Sequence, residues 1–231
     1  MIGTTRAAGL AAALLSGTAL AGPTQQWLMG AETAGVASYA YLGHVSPLPG
    51  SDFGAGWVKR FWIDWSEYRY DKGGVEIKAK SPGFDAALGY QKAGAGSWWA
   101  AYLGAAWRDT QLTPDDPDSD VRGRRVRAKL QLEGEVNLEN EWRVAGIAGY
   151  IVGQDGYWTR VRVLQGPLGG WRTGGEATLQ GDPSYRAAQL GAVVVLPRTT
   201  GGWDVSFKLG ARRVEGLDAR AYFGIEVGGF F

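Results

Sequence analysis

The sequence predicts an all-β fold: a closed antiparallel transmembrane β-barrel of the outer-membrane type with 12 strands, or ten if its weakest segments merge. Three observations carry that expectation. Apolar and polar residues alternate with period two, short turn signals separate the alternating runs, and aromatic residues stand at both ends of an apolar strand face. Composition agrees, with 37 Gly, 11 Trp, 10 Tyr and 7 Phe in 231 residues. It also excludes function classes. With no cysteine there is no disulfide framework, thiolate metal site or lipidated N-terminal cysteine, and 1 histidine cannot build a multi-histidine metal centre. No cofactor is implied.

Residues 1–21 read as a secretory signal peptide: Arg6 gives the positive start, Ala7 to Leu15 an apolar stretch too short to span a bilayer, and Thr18-Ala19-Leu20-Ala21 a small-residue cleavage pattern. The mature chain, 22–231, is then one exported domain in the outer membrane. Lys+Arg number 24 against Asp+Glu 23, and losing Arg6 with the leader leaves 23 against 23. Such balance offers nucleic acid no electrostatic footprint.

Along the mature chain, strands are expected at 28–45, 57–70, 74–80 and 84–91, with Asp71-Lys72-Gly73-Gly74 and Ser81-Pro82-Gly83 as turns. A strand at 97–109 places Trp99, Ala101, Leu103, Ala105 and Trp107 on one face. Eight steps at ~3.3 Å, tilted ~40°, cover about 20 Å of bilayer, close to the band that aromatic girdles border. In 122–136, Val126, Ala128, Leu130, Leu132, Gly134 and Val136 alternate with Arg125, Arg127, Lys129, Gln131, Glu133 and Glu135, a pattern that would scatter around a helix. Strands at 141–152, 157–165, 173–180 and 184–196 follow. The strand at 203–213 aligns Trp203, Val205, Phe207 and Leu209, and that at 220–231 aligns Phe223, Ile225, Val227 and terminal Phe231. The competing fold is a secreted β-sandwich that binds carbohydrate; it would bury Leu130, Phe207 and Ile225 between two sheets. An even strand count puts both termini in the periplasm, and counting back from Phe231 places the longer connections at 46–55 and 110–121 outside the cell.

If the apolar faces meet lipid, the polar ones line a lumen. The candidate lumen or glycan-contact residues are Arg60, Trp62, Asp64, Tyr68, Arg125, Arg127, Lys129, Glu133, Glu135, Arg160 and Arg162, with Tyr70 on the same parity. They fit either paired charges that fill the interior or a polar passage with flat rings for sugar. Glu133 and Glu135 lie about 6.6–7 Å apart by strand rise, overlapping the carboxylate spacing of inverting glycosidases, although every acidic i, i+2 pair on a strand has it. His44 is the only conventional base near neutral pH and has Ser46 close by, expected at the outer end of the first strand. Asp116-Pro117-Asp118-Ser119-Asp120 has a calcium-like spacing, but Val121 and Arg127 stand where an EF-hand loop needs Gly and Glu.

Several segments together resemble one family. They are Tyr39-Ala40-Tyr41-Leu42-Gly43 with Pro47-Leu48-Pro49-Gly50, Gly56-Trp57-Val58-Lys59-Arg60-Phe61-Trp62-Ile63-Asp64-Trp65 to Tyr68-Arg69-Tyr70-Asp71, Gly153-Gln154-Asp155-Gly156-Tyr157-Trp158, and Glu215-Gly216-Leu217 to Tyr222. In this order they resemble the BcsS family of bacterial cellulose-biosynthesis proteins. The resemblance implies an accessory envelope protein with glucan and the cellulose-synthase machinery as expected partners; outer-membrane lipid as a partner follows from the barrel reading. It carries no catalytic residue over. The expected role is non-enzymatic, as scaffold or polar conduit, with a barrel enzyme acting on lipid or glycan as the alternative.

Overall fold

A computed structural model describes residues 23–35, 37–183 and 185–231; the expected signal peptide lies outside them. The strands are β1 (Gln26–Thr33), β2 (Ala37–Pro47), β3 (Ala55–Lys72), β4 (Val75–Gly94), β5 (Ser97–Thr113), β6 (Gly123–Asn137), β7 (Trp142–Ile151), β8 (Gly156–Gln165), β9 (Arg172–Asp182), β10 (Tyr185–Val195), β11 (Trp203–Val214) and β12 (Arg220–Phe230). Each pairs antiparallel with its chain neighbour, and β1 closes on β12 from Gln26↔Phe230 to Thr33↔Phe223. Closure leaves no edge strand, so within the closed ring the ladder groups pair with neighbouring strands and not with water.

The barrel is turned apolar side out. Leu103, Leu130 and Leu190 are 62%, 46% and 71% exposed on the outer wall, with Phe207 and Phe223 beside them. The expected Trp99–Trp107 face points outward as well. Two stacked sheets would have hidden these side chains, so the sandwich is excluded. On β3 the outward residues change from Phe61, Ile63 and Trp65 to Glu67, Arg69 and Asp71. The same change separates Phe84 from Lys80 and Lys78 on β4, and Trp107 from Asp109 and Gln111 on β5. This common line marks where the apolar belt ends. The long strands β3 to β5, of 18, 20 and 17 residues, continue past it as a polar wall.

Twelve strands were expected and twelve are found, through two offsetting differences. The segment 28–45 is two strands, because Gly35 adopts φ 69° and the Ala34 amide bonds the Ala37 carbonyl at 2.8 Å in a tight turn. Conversely, 74–80 and 84–91 are one strand running through Ser81-Pro82-Gly83. Pro82 lacks an N–H, so the ladder to β5 skips from Lys80↔Gln111 to Gly83↔Arg108, and the Ser81 and Thr110 hydroxyls bridge the gap at 2.7 Å. These differences move the 46–55 connection to the end that holds both termini, not the opposite one. The 110–121 segment does lie at the opposite end, as the terminal part of β5 and the loop 114–122.

Candidate functional site

Strand alternation sends every second side chain into the lumen, where the contents form three layers. At the termini end, Leu28, Val45, Val58, Ala87, Trp98, Ala100 and Tyr102 pack together with Phe53 of the β2–β3 connection. Val58 and Ala100 are 0% exposed although they face the interior of the barrel, so water does not reach this wall. Phe53 meets Phe230 of β12 edge to face, ring centres 5.3 Å apart. Its loop is fastened to β4: the Gly54 amide donates to the Gln91 side-chain oxygen at 3.1 Å, and the Ala93 amide to the Gly54 carbonyl at 2.7 Å. The facing wall carries Leu164, Val193 and Val195, with Glu135 paired to Arg143 at 3.2 Å and Asp204 to Arg198 at 2.6 Å.

The middle layer is ionic. On one wall Asp85 takes Arg60 at 3.2 Å and also pairs with Lys129, while Asp64 takes Arg108 at 2.9 Å. The Arg60 guanidinium lies 4.9 Å from the centre of the Tyr102 ring and 5.4 Å from that of Trp62. Trp62 stacks on Tyr41 at 4.6 Å and donates to the Tyr39 hydroxyl at 3.2 Å. Across the ladder the indole lies directly over Gly43, where an added Cβ would come within 2.2 Å of it. On the opposite wall Glu226 of β12 receives Arg160 at 2.6 Å and Arg162 at 2.8 Å from β8, and Lys208 from β11 at 3.1 Å. Arg162 also binds Glu176 at 2.6 Å, and Lys208 binds Glu32 at 2.8 Å. Buried charges survive when paired and hydrogen-bonded in this way.

The layer farthest from the termini is aromatic. Tyr68 of β3 meets Tyr185 of β10, five strands away around the ring, with centres 5.4 Å apart. Tyr70 donates its hydroxyl to Asp116 at 3.1 Å, and Lys72 binds the same buried carboxylate at 2.5 Å. Arg122 clamps Asp115 at 2.6 and 2.8 Å. These bonds draw the 114–122 loop over the mouth. The acidic run at 116–120 thus uses Asp116 on protein donors, and among the described residues no group of three or more His, Cys, Asp or Glu is placed to hold a metal ion.

All eleven sequence-derived candidates have inward parity, but they are distributed among the layers. Arg60, Trp62, Asp64 and Lys129 fall in one ionic cluster and Arg160 and Arg162 in the other; Tyr68 lies in the aromatic layer, and Glu135 lies at the termini end. Glu133 accepts from Gln131 at 3.1 Å, and Arg127 bonds the Gly153 and Asp120 carbonyls at 2.5 and 3.3 Å. Arg125 points in near the far mouth. Glu32, Asp85, Glu176, Lys208 and Glu226, which complete the clusters, were not among the candidates. Parity along β11 and β12 carried the signal for Lys208 and Glu226. His44 sits at the termini end, not the outer end: it faces outward from β2 with its ring 4.5 Å from Trp27. The extra turn at Gly35 reversed the direction of that strand.

A family model described as "Cellulose biosynthesis protein BcsS" matches residues 27–230. Among solved structures, "KdgM porin" aligns with TM-score 0.52 and 11% identity over 89% of this chain and 99% of its own. "KdgM porin in complex with disordered oligogalacturonate" aligns with TM-score 0.53 and 12% identity, with the same coverage. At such identity the likeness is one of fold alone, a β-barrel of the outer-membrane type. No curated protein matches the chain.

Proposed function

The chain belongs to the BcsS family of cellulose-biosynthesis proteins, and we propose that it serves cellulose production as a closed, non-enzymatic barrel of the outer membrane, a scaffold in place of a conduit. In this reading residues 1–21 export the chain, the apolar belt sits in lipid, and the termini face the periplasm.

One observation carries the choice of scaffold. Contacts cross the ring at two heights, the β8 arginines with Glu226 four strands away and Tyr68 with Tyr185 five strands away, and at the termini end the β2–β3 connection packs Phe53 against Phe230. A polymer threading the lumen would have to part all of them. In this reading the lumen candidates are structural fill: Arg60, Asp64, Lys129, Glu135, Arg160 and Arg162 are ion-paired, Arg127 bonds backbone carbonyls and Glu133 accepts from Gln131. His44 against Trp27, Glu135 against Arg143 and Glu133 against Gln131 lack the arrangement that acyl transfer or glycan hydrolysis requires. A second reading, a saccharide conduit, draws on the KdgM porin solved with oligogalacturonate.

Single-channel recording in planar bilayers separates the two. The scaffold reading expects current-silent barrels. Steady conductance in the parent chain overturns it. Pull-down of cellulose-synthase subunits is expected to survive Lys129→Met and Glu133→Gln, and cellulose output to be unchanged in His44→Ala.

A further inference from the structure

We propose that Arg143 and Arg172, at the termini end of the lumen, form a site for a single oxyanion, a carboxylate or phosphate group. The site goes beyond the scaffold reading and does not depend on it. Arg172 opens β9, points inward and is 7% exposed. Its Nε is enclosed and has no hydrogen-bond partner, and its terminal nitrogens make no hydrogen bond among the described residues. Its one ion pair is to Asp204 at 3.5 Å, and that carboxylate is already clamped by Arg198 at 2.6 and 3.3 Å. Native structures give nearly all buried polar groups a partner, so a buried guanidinium without an acceptor points to a ligand.

Arg143 enlarges the deficit. It is 6% exposed, its Nε donates to the Asn137 side chain at 3.0 Å and faces Glu135 at 3.2 Å, and its terminal nitrogens are not hydrogen-bonded. Of the charges around Arg172, Arg143 acts most strongly, and it repels. Glu135 attracts both arginines but stands beyond ion-pair distance of Arg172. Three guanidiniums, Arg143, Arg172 and Arg198, therefore share two carboxylates, Glu135 and Asp204. One anion supplies the missing acceptors and the missing charge together, and the planar fork of arginine matches carboxylate and phosphate oxygens.

The backbone holds the arginines in place and leaves them within reach. Arg143 follows the β6–β7 turn and Arg172 the β8–β9 connection, and the Gly166 amide joins the two by donating to the Glu141 carbonyl at 3.3 Å. The Arg198 amide donates to the Gly169 carbonyl at 2.9 Å, which brings the β10–β11 connection alongside. The terminal nitrogens of both arginines are not enclosed as the Arg172 Nε is, and Arg198 and Asp204 are partly exposed, so solvent reaches the pair. The rim limits what enters. Glu139 and Glu141 are exposed on the β6–β7 turn and repel a polyanion, so the site takes one anionic group and not a run of them. Because both arginines face the lumen, headgroups of a surrounding bilayer do not reach them.

The test titrates the full-length mature protein, in a zwitterionic detergent, with sodium phosphate and separately with sodium acetate, each against sodium chloride at equal ionic strength. Calorimetry and thermal gel shift are the readouts. Saturable binding and stabilisation beyond chloride are expected, and the tighter of the two probes identifies the source as a phosphate group or a side-chain carboxylate. Arg172→Met is expected to weaken binding at least about tenfold, and Arg172→Lys, which keeps the charge without the fork, to fall between. Arg186→Met, on the exposed outer wall, should leave binding unchanged. Heat-modifiable migration checks that each variant folds. No effect of either probe beyond chloride overturns the site. Affinity unchanged in folded Arg172→Met or Arg172→Lys also overturns it and marks an adventitious ion only. Neither result bears on the current recordings that test the scaffold reading.

Discussion

Removing the Glu226 carboxylate tests the paired lumen most directly. Four cations, Arg160, Arg162, Lys208 and Arg212, surround three carboxylates, Glu32, Glu176 and Glu226. Glu226→Gln makes the ratio four to two without changing side-chain shape. Arg162 keeps Glu176, and Lys208 keeps Glu32. Arg160 has no other carboxylate among the ion pairs of the described residues, only the Trp158 ring at 5.4 Å. Breaking a buried pair by removing one partner costs about 3–5 kcal/mol. Arg160 retains some contact with water and the new amide still accepts one hydrogen bond, so the expected loss is about 2–4 kcal/mol. The assay is equilibrium urea unfolding in lipid vesicles, followed by tryptophan emission. Adding Arg160→Gln removes the stranded cation, and the double variant is expected to lose at least about 1 kcal/mol less than the sum of the single losses. A Glu226→Gln loss under about 0.5 kcal/mol, or an additive cycle, would refute a lumen stabilised by paired charge.

Three further outcomes are expected. Leu130→Arg, halfway along the outer face of β6, should lower folding stability in vesicles by about 2–4 kcal/mol, measured by the same titration, because the charge meets the bilayer midplane. Gly89→Ala should cost about 1–3 kcal/mol, since the new Cβ would lie 2.3 Å from the Tyr102 ring, while Gly94→Ala, whose nearest contact is 3.8 Å away, should be close to neutral by thermal gel shift. The hydrogen bond from Lys72 holds the Asp116 carboxyl below its ordinary range. Its docking contribution is therefore complete above the unfolded value of about 3.9 and fades as pH falls through the lower folded value. Hydrogen exchange in 114–122 should rise on acidification, and Asp116→Asn should raise it already at neutral pH and flatten its pH dependence.

Alternation made the strands and their faces legible. Residues 122–136 and 220–231 became β6 and β12 within one residue at each end. It could not separate a sharp turn from a continuing strand where small residues fit both: Ala34-Gly35 broke the first run, and Ser81-Pro82-Gly83 did not break the fourth strand. Because these differences offset, the strand count was right while the position of 46–55 was wrong. Parity also gives a direction, in or out, but no bearing around the ring. Arg160 could be placed in the lumen, yet not beside Glu226, 66 positions later. Tyr68 and Tyr185 likewise meet only because a ring of twelve strands brings β3 opposite β10.

The ionic layer also sets the barrier that the proposed scaffold reading places against passage. A conduit must hold its cargo weakly at every level, and its walls must be satisfied both with and without the cargo. Here the ionic layer pairs charges across strands, Asp85 with Arg60 and Lys129 and Glu226 with Arg160, Arg162 and Lys208, so passage of a neutral glucan would exchange charge-assisted bonds for weaker hydroxyl ones. With about 3–5 kcal/mol lost for each buried pair opened, the barrier recurs with every sugar that enters.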